Sequence, residues 1–132
     1  MNIPKKIYKT GFWLALAVLF IVSSIPEIPV QTSAQNNGTT FRYDYLFHFL
    51  AYAAIGFLYF KSYMPKVSGF LLIIGYAALE EVHQHWIPGR TLNPVDFGFD
   101  VAGLLVALLV FLLTQRKWQK NDKPATRNAF KN

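Results

Sequence analysis

Between Tyr76 and Gly103 the chain reads YAALEEVHQHWIPGRTLNPVDFGFDVAG, which gathers Glu80, Glu81, His83, His85, Arg90, Asp96 and Asp100 into one stretch. Upstream, Asp44, His48 and Tyr52 recur at intervals of four. On a helix that spacing puts all three on one stripe. Glu81, Gln84 and His85 form a second stripe, and Asp96, Asp100 and Gly103 a third. Histidine beside carboxylates suits general acid/base chemistry. His48 and Glu81 are the candidate catalytic pair, with Asp96 or Asp100 orienting the histidine and Arg90 stabilising developing negative charge. No serine or cysteine stands among them, so a covalent route needs a carboxylate or histidine nucleophile.

The same side chains fit two other roles. Arg90 can bridge two carboxylates with its planar guanidinium, or take an anionic head group together with Gln84. Alternatively, Arg90, Glu81, Asp96 and Asp100 form a buried network that fixes helix packing and does no chemistry. His48, Glu81, His85, Asp96 and Asp100 are all legitimate metal ligands. EEVHQH nevertheless lacks two histidines at i and i+4. The pattern therefore predicts no cofactor and no metal centre, with a divalent ion as the alternative that these ligand types admit.

The elements that must position these residues are long and apolar. Hydrophobic residues make up 53% of the 132 and charged residues only 15%, against roughly 25% charged in ordinary globular domains. Four stretches approach the ~20 residues needed to cross a bilayer: residues 7–25, 44–63, 67–87 and 95–115. The expected fold is all-α, a polytopic membrane protein with four transmembrane helices in an antiparallel bundle. One domain covers residues 1–115, and a basic, disordered tail covers 116–132. The connections MPK and PGRTLNP are short, so successive helices are expected to be neighbours. The stretch PEIPVQTSAQNNGTTFRY reads as irregular and includes an Asn37 glycosylation-type triplet.

Lysine and arginine set the direction. Lys5, Lys6 and Lys9 lie before or in the first turn of the first span, Lys61 and Lys66 flank the second turn, and Arg116, Lys117, Lys120, Lys123, Arg127 and Lys131 follow the fourth. The other two connections carry only Arg42 and Arg90. Both termini are therefore expected in the cytoplasm of a cell-membrane protein. The net charge of +6 has its origin in those segments, which leaves nucleic acid out of the expected partners. A basic start with a shortish apolar core also fits a signal peptide, but the prolines after the core disfavour processing. The chain has no cysteine, which removes disulfides and thiol chemistry.

In this topology the polar residues converge at the extracytoplasmic face. At about 1.5 Å rise per residue, His48, Glu81 and Asp100 lie roughly 20–22 Å above the cytoplasmic edge, on three different helices. Each buried charge costs about 2.5–3.5 kcal/mol at mid-bilayer, so such residues must face a water-filled pocket or one another. Glu80 is expected at the interface, and His83 and Trp86 in an interfacial belt. Gly98/Ala102 and Gly103/Ala107 offer helix-packing faces on the fourth span.

The ordered set DYLFHFLAY, EEVHQHWIPGR and VDFGFDVAG resembles the VanZ-like family of small bacterial membrane proteins, over roughly residues 44–113. The matching positions are Asp44, His48, Glu81, Gln84, Pro88, Arg90, Asp96, Asp100 and Gly103. Asp100 departs from the pattern, since many relatives have Asn there. The resemblance implies a cell-envelope role, and the family is named for a protein of teicoplanin resistance. It implies no agreed reaction. Two functions follow: binding of a lipid-linked or amphiphilic envelope ligand, or intramembrane chemistry (hydrolysis or transfer) on a lipid head group. An acidic pocket matches a bare phosphate poorly unless a cation bridges them.

Overall fold

The computed structural model describes residues 4–26, 43–63 and 65–121. Within them the chain forms four helices and no strand: α1 (Lys5–Ser23), α2 (Tyr43–Ser62), α3 (Val67–Gln84) and α4 (Pro94–Asn121). The irregular segment and glycosylation-type triplet expected before α2 lie outside the described residues, as does the tail from 122 onward. α4 runs past Gln115 to Asn121, so the first part of the expected tail is helical. Arg116 and Lys117 do not stop a helix, and no proline intervenes before Pro124.

Among the described residues, two helices are long and apolar enough to cross a membrane, Lys5–Ser23 and Pro94–Gln115. α2 and α3 are of similar length but carry more polar groups. Asp44, His48, Lys61 and several tyrosines dilute α2, and Glu80, Glu81, His83 and Gln84 dilute the end of α3.

The helices alternate in direction, but successive ones are not all neighbours. α2 lies along α4 and α1, and α3 lies along α4 and α1. α2 and α3 sit diagonally across the bundle, although only a short turn joins them. Small residues explain this choice. A Cβ on Gly103 would run into the Phe49 carbonyl and come within 3.0 Å of the Ala53 nitrogen. A Cβ on Gly56 would lie 2.8 Å from that of Ala107. With no side chain between the backbones, α2 and α4 approach closely along Gly56, Gly103 and Ala107.

Of the two small-residue faces expected to pack on α4, only Gly103/Ala107 does so. The Gly98/Ala102 face is a correction: Gly98 is exposed, Ala102 is only half-buried, and a Cβ on Gly98 would meet open space. The reason is rotation about the helix axis. Ala102 precedes Gly103 by one residue, about 100° around a helix of 3.6 residues per turn, so both faces cannot point at α2 together. The face with Gly103 wins because it also carries Asp96 and Asp100, which are buried with it.

The core is made by Phe12, Leu19, Tyr52, Ile55, Tyr59, Phe60, Ile73, Ala77, Leu104 and Ala107. At one end of the bundle aromatic rings fill it. Tyr59 packs 5.7 Å from Phe12 and 5.3 Å from Phe60, and Phe60 lies 5.5 Å from Phe111. Trp13 Nε1 donates to the Tyr63 hydroxyl at 3.2 Å, and Lys9 stands over the Tyr63 ring at 5.1 Å. The opposite end is polar.

Candidate functional site

The turn between α3 and α4 sets the geometry of the polar end. The Arg90 N–H donates to the Ile87 carbonyl at 3.0 Å, and Gly89 takes a φ of 81°. Proline at the second position and a left-handed glycine at the third suit a type II turn. α4 then starts at Pro94, a residue suited to the first helical position because its missing N–H would be unpaired there. Asn93 caps it, its Oδ1 accepting the Val95 N–H at 3.0 Å. The Asn93 N–H donates to Glu81 Oε2 at 3.2 Å, which ties the start of α4 to the end of α3. Asp96 stands in the first turn of α4, where the helix dipole favours a carboxylate.

Three helices bring their polar residues together here. His48 Nδ1 and Asp100 Oδ1 are hydrogen-bonded at 2.9 Å, with both side chains buried. Donor atoms of His48, Glu81 and Asp100 all lie within 4.8 Å of one another. Gln84 and Asp96 are buried at the same end. Tyr52 faces inward on the same stripe as His48, but its hydroxyl donates to Glu80 Oε2 at 2.7 Å. His85, on the stripe with Glu81 and Gln84, is exposed.

A cavity of about 310 Å³ opens against this cluster. Asp44, His48, Glu80, Gln84 and Arg90 give it polar walls, and Leu19, Val22 and Phe47 give it apolar ones.

Three residues of this end differ from expectation. Glu80 is not an interface carboxylate but is 3% exposed, inside the bundle and on the cavity wall. The signal was present: Ile73, Ala77, Glu80 and Gln84 fall at helical spacing on the buried face of α3. His83 stacks on Phe20 at 4.8 Å and shares a hydrogen bond with Ser24 Oγ at 3.1 Å, partners on and just beyond α1 that its spacing on α3 does not announce. Trp86 is exposed. Arg90 donates to the Ile25 and Val22 carbonyls at 3.4 and 3.5 Å. Carbonyls at the end of a helix have no partner within it. A cation there also suits the negative end of the helix dipole, so Arg90 caps α1 instead of bridging the carboxylates.

Several buried polar atoms have no hydrogen-bond partner: Glu80 Oε1, Glu81 Oε1, Gln84 Nε2 and Asp96 Oδ1. A network that served packing alone would be expected to satisfy such atoms, because each orphan costs about 1–3 kcal/mol. Of these residues, Glu80 and Gln84 line the cavity, and Glu81 and Asp96 are buried at the same end. Compared with protein-family models, curated proteins and solved structures, the chain matches none of them.

Proposed function

We propose that this chain is a VanZ-like integral membrane protein of the bacterial cell envelope. All four helices cross the bilayer, both termini are cytoplasmic, and the polar cavity opens toward the extracytoplasmic face. Support for four spans comes from the outward faces of the two less apolar helices. Leu46, Leu50 and Phe57 on α2, and Leu71, Leu72 and Leu79 on α3, are exposed, an arrangement costly in water and ordinary against lipid. The excess of Lys and Arg at one end supports the orientation.

In this reading the cavity binds a lipid-linked or amphiphilic envelope ligand. The observation that carries it is the wall that sets Leu19, Val22 and Phe47 beside His48, Gln84 and Arg90. The lipid stem lies against the apolar side, and the head group meets Arg90 and Gln84. The resemblance to a family named for teicoplanin resistance supports a lipid-linked wall precursor as the ligand, because glycopeptides act on such precursors outside the membrane. The test is native mass spectrometry of the purified protein in nanodiscs supplied with that precursor. The expected result is a retained precursor that Arg90→Gln loses at least tenfold. A folded wild-type protein that retains no amphiphile contradicts the reading.

The His48–Asp100 hydrogen bond at 2.9 Å favours a second reading, an enzyme acting on the head group. Asp100 would hold the imidazole, and His48 with Glu81 would move the proton. A chemically altered precursor in the same experiment, formed by wild type and not by His48→Gln, selects this reading.

A further inference from the structure

Sequence spacing gives no metal motif, yet the fold assembles a donor set that no single helix contains. His48 from α2, Glu81 from α3 and Asp100 from α4 are all buried, with donor atoms within 4.8 Å of one another. His48 Nδ1 and Asp100 Oδ1 share a proton at 2.9 Å, and an ion bound between them would take that proton's place, since ligating imidazole and carboxylate are deprotonated. A second observation is independent of this spacing. Glu81 is 4% exposed, and with Oε2 engaged by Asn93 its Oε1 has no partner. Asp96, 6% exposed and one turn before Asp100, also leaves Oδ1 without a partner. Buried carboxylate oxygens without donors are costly, and several carboxylates so close repel one another. Arg90, the nearest loop cation in the sequence, is committed to the end of α1.

The geometry points to a divalent cation site built from His48, Glu81 and Asp100, with Asp96 beside it. One imidazole nitrogen with carboxylate oxygens suits an ion of the Mn²⁺ or Zn²⁺ class, rather than a soft ion that prefers sulfur. The ion compensates the carboxylates that Arg90 does not reach. His48 also lines the cavity, so the ion stands at its wall and presents its remaining coordination positions to a bound group. This last step rests on the ligand-binding reading above, and the ion site itself does not. It removes the mismatch between an acidic pocket and an anionic head group, which would then be held between the cation and Arg90.

The test is Mn²⁺ titration of the purified full chain in detergent, without added lipid, followed by electron paramagnetic resonance. Wild type is expected to take up one Mn²⁺ per chain, with Zn²⁺ displacing it. Glu81→Gln and Asp100→Asn are each expected to weaken uptake at least tenfold, while His85→Gln, at an exposed histidine, leaves it unchanged. Electron spin-echo modulation from a histidine nitrogen is expected on the bound Mn²⁺, and its loss in His48→Gln. Elution volume and circular dichroism identify the folded variants, and Glu81→Gln carries the test if Asp100→Asn does not fold. Absence of saturable uptake by folded wild type overturns the proposal, as does uptake that Glu81→Gln retains in full. Uptake of Mn²⁺ without retention of any amphiphile upholds the ion site and refutes the ligand reading. Amphiphile retention without Mn²⁺ or Zn²⁺ uptake does the reverse.

Discussion

The two ends of the bundle are filled by opposite means. Around Phe12, Tyr59, Phe60 and Phe111, rings meet edge to face or tilted at 5.3–5.7 Å, geometries in which aromatic pairs gain beyond their buried area. Around His48, Glu81, Asp96 and Asp100, the same bundle buries carboxylates and leaves oxygens without partners. Both ends border a cavity, apolar beside Phe12, Tyr59 and Tyr63 and partly polar beside His48, Glu80 and Arg90, but among the described residues the buried polar atoms without partners lie at the second. Under the proposed function, the contrast separates residues that hold the helices together from residues that would hold a ligand. Changes at the aromatic end should lower stability and spare ligand retention in whatever protein remains folded. Changes at the cavity should do the opposite.

The largest effect is expected at the seam that joins both ends. Gly103→Leu would drive a side chain into the Phe49 backbone, which has no side-chain freedom with which to yield. A loss on the order of 3 kcal/mol, seen as a lower midpoint of thermal unfolding in detergent, should accompany loss of both packing and binding. Phe12→Ala comes next, with a similar loss of stability but no loss of binding. It empties part of the aromatic end at a cost of roughly 3 kcal/mol, and the folded fraction should still retain ligand in native mass spectra. A Phe12→Ala protein that kept its midpoint but lost its ligand would erase the distinction between the ends.

Tyr52→Phe probes the boundary, because Tyr52 lies between the two ends. Removing the hydroxyl strands Glu80 Oε2, which now accepts it at 2.7 Å. The unpaired group costs about 1–3 kcal/mol, measurable as a shift in the same melting midpoint. Gly98→Ala should do least, within about 0.5 kcal/mol, since a Cβ there meets open space. A large melting shift from Gly98→Ala would show that the Gly98/Ala102 face packs against another molecule in the membrane.

Much of the polar end is legible in the sequence because helical periodicity survives in any environment. Asp44, His48 and Tyr52 at intervals of four identify one stripe, and counting rise per residue brings His48, Glu81 and Asp100 to one depth. Grouping Glu80 with His83 puts it at the interface, whereas its spacing from Ile73, Ala77 and Gln84 puts it on the buried face. The diagonal placement of α2 and α3 is not legible from loop length, which limits how far apart helices can be without choosing the closest pair. That choice falls to Gly56, Gly103 and Ala107, whose meeting depends on the fold already being formed. Small-residue spacing alone cannot rank Gly98/Ala102 against Gly103/Ala107, because both pairs are four apart and equally small. Arg90 is legible as a cation near carboxylates. The competing carbonyls at the end of α1 come from a distant part of the chain, where no side chain announces them.

Whether the polar end acts on an envelope lipid or merely packs helices can be decided in cells. The measurement is mass spectrometry of total lipid extracts from cells lacking the protein, with wild type or Arg90→Gln restored at equal membrane levels. The expected result is one lipid or lipid-linked precursor whose level shifts with wild type and returns to the deletion value with Arg90→Gln. Extracts in which no lipid responds to wild type, or in which wild type and Arg90→Gln act alike, would contradict a lipid-directed role.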